Sequence, residues 1–467
     1  MIRRFFAIAM ILVIGVSAMP AENKKQTKQG TILHCWCWSF KTIEENIERI
    51  SEAGFTAIQT SPANECFKGD NGGLEIMSTR NGKWYYHYQP TDWKIGNYQL
   101  GTRDDFIRMC AKAKKYGIAV IVDVVPNHTT THKDKISQNF IEAVGGMEKM
   151  YHKNSDHTIR SMANRREVTS AMLGGLPDIN TENPLFQEYF MNYINDLIDC
   201  GADGFRFDTA KHIALPDDPI DPAAKENDFW PVFTGKKAIN GKALKNADEL
   251  FIYGEVLQEG ASREDAYGKL FPVTASNYGK LLRSALKNEK LNARGIADFK
   301  NAASPEVVTW VESHDTYANE GKSAFLTNFM LRAGWAVIAA RKDGTPLFFS
   351  RPKGKESVQF PSESKIGESG NDEYFSPEVS AVNKFRTAMQ GENEEFINGE
   401  NSGVLIIKRG EKGCVIINLN NKPSNVQVEI KLPKGTYIDK ANKTKFVSKN
   451  HILKGRIKPK SICVVYH

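Results

Sequence analysis

Acidic and basic side chains stand at the ends of several apolar, strand-like segments of this sequence. The segment GFRFD ends in Arg206 and Asp208, LFIYGEV carries Glu255, and VVTWVESHD ends in His314 and Asp315. Side chains alternate between the two faces of a strand, so Arg206 and Asp208 share one face and the phenylalanines of GFRFD share the other. A guanidinium beside Asp208 favours its ionised form, which suits a nucleophile. An ordinary Arg–Asp ion pair would leave the same pattern.

Glu255 follows an apolar run. Apolar surroundings keep a glutamic acid protonated at neutral pH, which makes it a proton donor. For this segment alone, a solvated acid at the start of a loop is the simpler interpretation. One ionised carboxylate and one carboxylic acid flanking a glycosidic bond are the minimum for retaining glycoside hydrolysis. Three acids at three strand ends, Asp208, Glu255 and Asp315, favour that chemistry.

These strand ends need a scaffold that brings them together. Strand-like and helical segments alternate along the chain, which predicts parallel βαβ units. The predicted strands are 31–38, GFTAIQTSP, IAVIVDVV, GADGFRFD, LFIYGEV, VVTWVESHD and TPLFFS, and the predicted helices include 42–54, 104–116 and 186–200. Such units form a barrel or a doubly wound sheet, and no GxGxxG or Walker motif supports the nucleotide-binding alternative. A barrel places catalytic residues at the C-terminal ends of its strands.

The chain of 467 residues is long enough for such a barrel with additions. The polar stretch after the strand that ends near Asp123 is too long for an ordinary βα loop. Short strand-like runs divided by turn residues fill the last part of the sequence. We therefore expect an α/β fold with a (β/α)₈ TIM barrel over 31–126 and 179–390, a small inserted domain after strand 3 over 127–178, and a C-terminal antiparallel β-sandwich over 391–467.

The N-terminus has the pattern of a secretory signal peptide. Two arginines at positions 3 and 4 precede an apolar run over 5–16, and small residues follow. We predict a signal peptide over 1–21 and a secreted, extracellular protein. The apolar run is short for a membrane span, although an uncleaved anchor is the alternative.

Composition excludes several classes of protein. Hydrophobic residues make up 41% and charged residues 25%, and the mean hydropathy of −0.43 is typical of a soluble chain. The net charge of +7 is small for this length and comes without a basic stripe or a nucleic-acid-binding module, so we expect no nucleic-acid partner. Seven scattered cysteines lack zinc-site spacing and are expected to be mostly buried thiols. We expect a monomer with no membrane contact beyond the signal peptide.

Longer blocks around the same residues resemble a known family. DVVPNH, GFRFDTAKH, YGEVLQ and WVESHD, in this order and spacing, resemble the four signature regions of the α-amylase family, glycoside hydrolase family 13, and LPDIN resembles its fifth. AIQTSP, YQPTDWKIGN and TPLFFSRP resemble the secreted Bacillus subtilis type within that family. The resemblance implies an endo-acting, retaining enzyme that hydrolyses α-1,4-glucosidic bonds in starch, glycogen and related glucans through a covalent glycosyl-enzyme intermediate.

The same resemblance implies residue roles. Asp208 matches the nucleophile, Glu255 the general acid and later base, and Asp315 the carboxylate that binds sugar hydroxyls and aids distortion. The implied substrate-binding residues are Trp84, Tyr85, Tyr88, Gln89, His128, Arg206, Lys211, His212 and His314. Flat sugar faces favour aromatic platforms, although core packing is the alternative for Trp84.

A structural calcium ion between the barrel and the inserted domain is also implied by the resemblance. Asn127, Asp178 and the backbone carbonyls of Thr169 and His212 match its ligands. These are hard oxygen donors, as Ca²⁺ requires. Chloride-dependent relatives carry Asn just before the His-Asp pair, whereas this chain has Ser313, so we expect no chloride requirement.

Two alternatives stay open at this point. A glucanotransferase or a branch-cutting relative would use the same chemistry on a different acceptor or bond. A catalytically inactive glucan-binding protein would keep the fold without turnover, and the intact set of Asp208, Glu255 and Asp315 argues against it.

Overall fold

The computed structural model describes residues 20–69, 72–76, 83–220, 224–360 and 364–467. Residues 1–19 of the predicted signal peptide lie outside the described residues. The strands are β1 Ile32–Cys35, β2 Ala57–Thr60, β3 Asn64–Cys66, β4 Pro90–Asn97, β5 Gly101–Thr102, β6 Ala119–Val124, β7 Gly204–Phe207, β8 Phe251–Gly254, β9 Val273–Thr274, β10 Val307–Trp310, β11 Thr345–Phe349, β12 Glu394–Asn398, β13 Val404–Arg409, β14 Gly413–Asn418, β15 Ser424–Glu429, β16 Gly435–Ile438, β17 Lys445–Lys449, β18 Ile452–Ile457 and β19 Ser461–Tyr466.

The helices are α1 Pro20–Gln29, α2 Phe40–Glu52, α3 Arg103–Lys115, α4 Gln138–Ala143, α5 Met147–Met150, α6 Arg165–Val168, α7 Pro184–Asp199, α8 Phe229–Phe233, α9 Glu264–Gly268, α10 Ser276–Lys287, α11 Ala293–Ala297, α12 Asn328–Ala339 and α13 Pro377–Ala388. Tight 3₁₀ turns occupy Trp84–Tyr88, Lys133–Lys135, Ala210–His212 and Asp372–Phe375, and a π-helical turn occupies Asp315–Asn319.

Eight parallel strands close into a barrel in the order β1, β2, β6, β7, β8, β9, β10, β11 and back to β1. This confirms the predicted barrel and excludes the doubly wound sheet. Parallel pairing sets Asp123 of β6 beside Arg206 of β7, and Arg206 beside Tyr253 of β8. Strand β9 was not among the predicted strands, because two residues are too few to show a periodic pattern.

Local sequence explains where the first barrel helix begins and ends. The Ser39 side chain accepts a hydrogen bond from the Thr42 backbone N–H and so caps α2. Three isoleucines at helical spacing, Ile43, Ile47 and Ile50, are fully buried. Gly54, with φ of +80°, turns the chain towards β2 at little steric cost. The predicted helix over 42–54 therefore lies within two residues of the observed one.

The apolar face of β7 packs outwards against helices, as its alternating pattern predicts. Phe205 and Phe207 are buried, and the Phe207 ring lies 5.3 Å from the Trp230 ring of α8. Burial of these two phenylalanines fixes the opposite orientation for Arg206 and Asp208, which point into the mouth of the barrel.

Two further units flank the barrel. The segment between β6 and α7 leaves the barrel after the third strand, carries α4 to α6, and returns where His128 and Asp178 form an antiparallel bridge. At the C-terminus, β12-β13-β14-β19 and β15-β18-β17-β16 form two antiparallel sheets. Val404 and Ile416 of one sheet share a buried cluster with Val426 and Phe446 of the other, which confirms the predicted β-sandwich.

Other expectations concern cysteines and membranes. All seven cysteines are buried and unpaired, as the scattered spacing predicts. Among the helices of the described residues, none has both the length and the apolar character needed to cross a bilayer.

Candidate active site

Arg206 contacts three carboxylates at the mouth of the barrel. Its Nη1 donates to both oxygens of Asp123, at 2.8 and 2.9 Å, and to Oδ1 of Asp208 at 2.7 Å. Its Nη2 lies 2.9 Å from Oε1 of Glu255. Asp123 of β6 and the acids just beyond the ends of β7 and β8 thus meet at one buried guanidinium. Asp208 and Glu255, which are 47 positions apart in the sequence, are brought onto neighbouring nitrogens of the same side chain.

Asp123 is held between Arg206 and an aromatic ring. The Tyr88 hydroxyl donates to its Oδ2 at 2.8 Å. Burial raises the pKa of Asp123 above its ordinary value, and the charge of Arg206 opposes that rise. Asp123 therefore orients Tyr88 and Arg206 from below and is itself closed off from solvent.

The surroundings of Glu255 are polar, so the expectation of an apolar pocket around it was wrong. Besides the contact with Arg206, its Oε2 accepts a hydrogen bond of 3.1 Å from the Thr209 backbone N–H. Thr209 adopts a left-handed conformation, with φ of +47°, a strained state for a β-branched residue. The apolar run FIY that suggested the pocket belongs to the strand, whereas Glu255 lies just beyond the strand end, where the neighbouring loops supply donors.

Asp315 opens the π-helical turn after β10 and its side chain is 29% exposed. Its surroundings raise the pKa of Asp315 well above the ordinary value, first through burial and then through the charge of Glu255, with Asp208 adding to it. Oδ2 of Asp315 lies 3.4 Å from Nε2 of His314, whose ring stacks on Tyr88, the partner of Asp123, so Asp315 lies at the same mouth of the barrel. π-Helical turns are rare and occur mostly at functional sites.

Rings pack against one side of the barrel mouth. The His314 imidazole stacks on Tyr88, with ring centroids 5.0 Å apart and planes 11° apart, and meets Trp84 edge-on at 5.8 Å. Trp84 is only 5% exposed, so the core-packing alternative describes this ring well. Tyr85 is half-buried and meets Trp84 at right angles, which leaves part of its ring open.

His128 lies beside the same rings. Its Nε2 donates to the Tyr88 carbonyl oxygen at 3.0 Å, and its buried Nδ1 has no hydrogen-bond partner in the described part of the chain. Burial lowers the pKa of His128, so the neutral tautomer keeps Nδ1 as an acceptor. His128 thus holds the Tyr88 backbone in place and keeps one unpaired acceptor buried beside it.

The remaining substrate candidates lie at the edges of the acid cluster. Gln89 accepts a hydrogen bond from the Thr130 hydroxyl through Oε1 at 3.1 Å. The Lys211 ammonium pairs with Glu259, and the Lys211 backbone N–H lies 3.4 Å from the Glu255 carbonyl oxygen. His212 donates from Nδ1 to the Val168 carbonyl at 2.8 Å, which fixes it against the inserted segment.

The four predicted calcium ligands lie at the junction between the barrel and the inserted segment. Asn127 and Asp178 are in contact, with Nδ2 and Oδ2 3.2 Å apart, and Asp178 is buried. Burial raises the pKa of Asp178 to about 6. The bond from His212 to the Val168 carbonyl brings the neighbouring Thr169 to the same junction. Carboxylate, amide and carbonyl oxygens are the donors that Ca²⁺ takes, so these residues fit the ion.

One feature of this junction was missed by sequence reasoning. His152 donates from Nδ1 to Asp178 at 2.6 Å and contacts Glu182 through Nε2 at 2.5 Å, so it orients the Asp178 carboxylate. Among the described residues, no cluster of three or more His, Cys, Asp or Glu side chains has metal-binding geometry. The predicted ligand set falls outside such a pattern because two of its donors are backbone carbonyls.

The family model described as "Alpha amylase, catalytic domain" matches residues 38–273, half of the chain. The chain belongs to the α-amylase family. The matched range includes Asp123, Asp208 and Glu255, whereas Asp315 lies beyond its end.

Curated relatives extend this similarity through the chain. An α-amylase from Butyrivibrio fibrisolvens is 42% identical over 96% of this chain and 49% of its own length. An α-amylase from Clostridium acetobutylicum is 35% identical over 97% of this chain and 56% of its own length. The chain thus spans about half the length of both relatives. The crystal structure of α-amylase I from Eisenia fetida matches with a TM-score of 0.74 at 18% identity, over 94% of this chain and 97% of that one, which supports the fold.

Proposed function

We propose that this chain is an endo-acting α-amylase that hydrolyses α-1,4 bonds in starch, glycogen and related glucans with retention of configuration. The observation that carries the proposal is that Asp208 and Glu255 share the Arg206 guanidinium, with Asp315 placed at the same barrel mouth by its contact with His314. Their contact with one guanidinium supports the retaining route, in which the two carboxyl groups lie closer together than in inverting enzymes, where a water molecule must fit between them.

In the first step, a carboxylate oxygen of Asp208 bonds to the anomeric carbon while the bond from that carbon to the glycosidic oxygen breaks. Arg206 fixes the position of the Asp208 carboxylate through the hydrogen bond from its Nη1. Glu255, in its protonated form, gives its proton to the departing oxygen. Burial, and then the neighbouring charge of Glu255, raise the pKa of Asp315, so this third acid does not ionise independently of the reacting pair.

In the second step, Glu255 takes a proton from water, and the resulting oxygen attacks the anomeric carbon and displaces Asp208. Two inversions restore the original configuration. Asp315, whose side chain is 29% exposed, is available to bind sugar hydroxyls while the ring distorts, and the Tyr88 ring lies beside it, stacked on His314. The same groups would serve transfer to a sugar acceptor, so product analysis must separate hydrolysis from transfer.

The decisive test replaces Glu255 with Gln. Loss of the acid should lower kcat on soluble starch by about a thousandfold and leave starch binding intact. The matched control is Asp248→Asn, an exposed acid ahead of the same strand, which should keep full activity. Anomeric configuration of fresh products, followed by NMR, should be α. A β product would refute the retaining step, and accumulation of cyclic or re-elongated glucans would refute the hydrolase.

Calcium is part of the proposal as a stabiliser. Asn127, Asp178 and the carbonyl oxygens of Thr169 and His212 would hold the ion, which would supply charge compensation for the buried Asp178 carboxylate and tie the inserted segment to the barrel. A chelator should lower the melting temperature, and added Ca²⁺ should restore it. An unchanged melting temperature would remove the metal from the proposal.

Export and a monomeric state complete the proposal. The N-terminal pattern of arginines, apolar run and small residues supports cleavage within 1–21. N-terminal sequencing of protein recovered from culture medium tests export, and light scattering tests the monomer. Protein retained in the cells with an intact N-terminus would contradict export.

A further inference from the structure

Arg165 of the inserted segment reaches into the loops above β7 and β8. Its side chain is 11% exposed. Its Nε donates to Oδ2 of Asp218 at 2.8 Å, and its Nη1 donates to the carbonyl oxygens of Lys211 at 2.7 Å and Ala261 at 3.4 Å. Its Nη2 donates to the Tyr267 hydroxyl. One planar guanidinium therefore joins three chain segments that are distant in the sequence.

Asp218 holds this guanidinium in place. Its carboxylate is almost fully buried and also accepts from the Leu215 backbone N–H at 2.7 Å and from Nη1 of Arg263 at 2.5 Å. Burial by itself would raise the pKa of Asp218, but the bonds from Arg165 and Arg263 bring it below the ordinary value. The carboxylate thus stays charged, and a charge-assisted contact fixes the Arg165 side chain.

Because Glu255 is the proposed proton donor to the departing oxygen, the segments around Lys211 and the loop after β8, both joined by Arg165, are assigned to the side of the glucose unit that leaves. Lys211 contacts the Glu255 carbonyl through its backbone N–H, and its ammonium pairs with Glu259 of the loop after β8. The inserted segment touches both loops a second time: Val168 accepts from His212, and the Met162 carbonyl accepts from the Ala261 N–H at 2.7 Å. Glu255 and Lys211 are therefore both held by contacts between their loops and the inserted segment.

We propose that Arg165 is a positioning residue that sets the acceptor side of the active site, the side occupied by the glucose units beyond the broken bond. This rests on the proposed function. Arg165 acts by fixing the backbone of Lys211 and the loop that follows Glu255. We assign the opposite, donor side to the rings around Tyr88, which contacts Asp123 and His314 rather than Arg165. Disturbing Arg165 should therefore weaken one side of the site and spare the other.

The test is Arg165→Lys, with maltoheptaose labelled at its reducing end as substrate. Lysine keeps the charge but cannot donate from a rigid fork in several directions. We expect kcat/KM to fall about tenfold, in line with the loss of charged hydrogen bonds. We also expect cleavage to shift towards the reducing end, giving shorter labelled products, because weaker acceptor subsites favour binding modes with more glucose on the donor side. The control is Arg160→Lys, an exposed arginine of the same segment.

A second variant, Asp218→Asn, tests the partner. It should shift the cleavage pattern in the same direction, since the amide can still accept one bond from Arg165 but lacks the charge. A merely structural role would lower the melting temperature and the active fraction while the pattern of cleaved bonds stays that of the wild type, and that result would overturn the inference. If the wild-type chain itself leaves maltoheptaose intact, the proposed function fails and this inference fails with it. If the wild type cleaves and both variants keep its pattern, only this inference fails.

Discussion

Buried arginines occupy both ends of the barrel, and their partners differ. At the C-terminal mouth, Arg206 donates to the carboxylates of Asp123 and Asp208 and contacts Glu255. At the N-terminal end, Arg386 donates to backbone carbonyls instead, those of Gln29, Arg341 and Gly344, at 2.6 to 2.8 Å. Both arginines are almost fully buried.

Arg409 of β13 repeats the pattern of Arg386. It donates to the carbonyl oxygens of Ala340, Arg341, Met389 and Glu392. These bonds join the β-sandwich to the loop between α12 and β11 at the N-terminal end of the barrel. Carbonyl groups cannot exchange protons, so such contacts fix backbone without creating reactive groups. Carboxylates around an arginine are held in place in the same way, but they also exchange protons, and the ionisation of each depends on its neighbours. The arginine at the C-terminal mouth therefore serves the reacting acids, and the arginines at the N-terminal end stabilise the fold, as in other barrels of this type.

The largest expected effect is the loss of activity in Arg206→Lys. A single ammonium cannot contact Asp123, Asp208 and Glu255 in the same plane. Asp208 and Glu255 therefore lose the side chain that fixes their relative positions. We expect kcat/KM on soluble starch to fall by about a thousandfold, or about 4 kcal/mol. Steady-state kinetics with the melting temperature measured in parallel is the check. Activity within a few-fold of the wild type would contradict the role assigned to the mouth.

Arg386→Met should instead reduce stability. It leaves several buried carbonyl oxygens without a donor, which we expect to lower the free energy of unfolding by about 4 kcal/mol. Chemical denaturation measures this change, and kcat per folded molecule should stay that of the wild type. Arg456→Met, at an exposed position of the sandwich, serves as the control. A fall in kcat with unchanged stability would reverse the comparison.

Acid should destabilise the mouth through His87, which is fully buried beside Tyr88. Burial lowers the pKa of His87 to about 4, against an ordinary value of 6.5. Below pH 6.5 His87 binds a proton in the unfolded chain, whereas in the folded chain it stays neutral down to about pH 4. The free energy of unfolding therefore falls as the pH drops from 6.5 to 4. The contribution is about 3 kcal/mol. Unfolding curves at pH 7 and pH 4 should differ less in His87→Gln, and an equal difference in both proteins would contradict the assignment.

The smallest effect belongs to an exposed pair at the N-terminal end. Lys28 and Glu306 lie 2.6 Å apart, but both side chains are nearly half exposed. Lys28→Ala should change the free energy of unfolding by less than about 0.5 kcal/mol, because solvent screens such pairs. Its kinetics should match those of the wild type. A loss above 1 kcal/mol would show that this contact is more than a surface ion pair.

Much of the fold follows from local patterns. Apolar runs such as AVIVDV predict the buried strand β6, and isoleucines at helical spacing predict α2. Alternation along GFRF predicts which way Arg206 points. Strand β9 was missed because its two residues carry no periodic signal. The long inserted segment was recognised by length and polarity, but its short helices were not predicted.

The amino-acid sequence specifies which side chains stand at strand ends, since periodicity and capping act over a few residues. Only the folded chain decides that Arg206 contacts Glu255 rather than Asp208 alone, and that Glu255 has polar surroundings. The same holds for Arg165. It lies in a polar segment without a periodic pattern, and it contacts residues 46 to 102 positions away in the sequence. Such contacts depend on closure of the barrel and on where the inserted segment returns, and both are set by packing across the whole molecule.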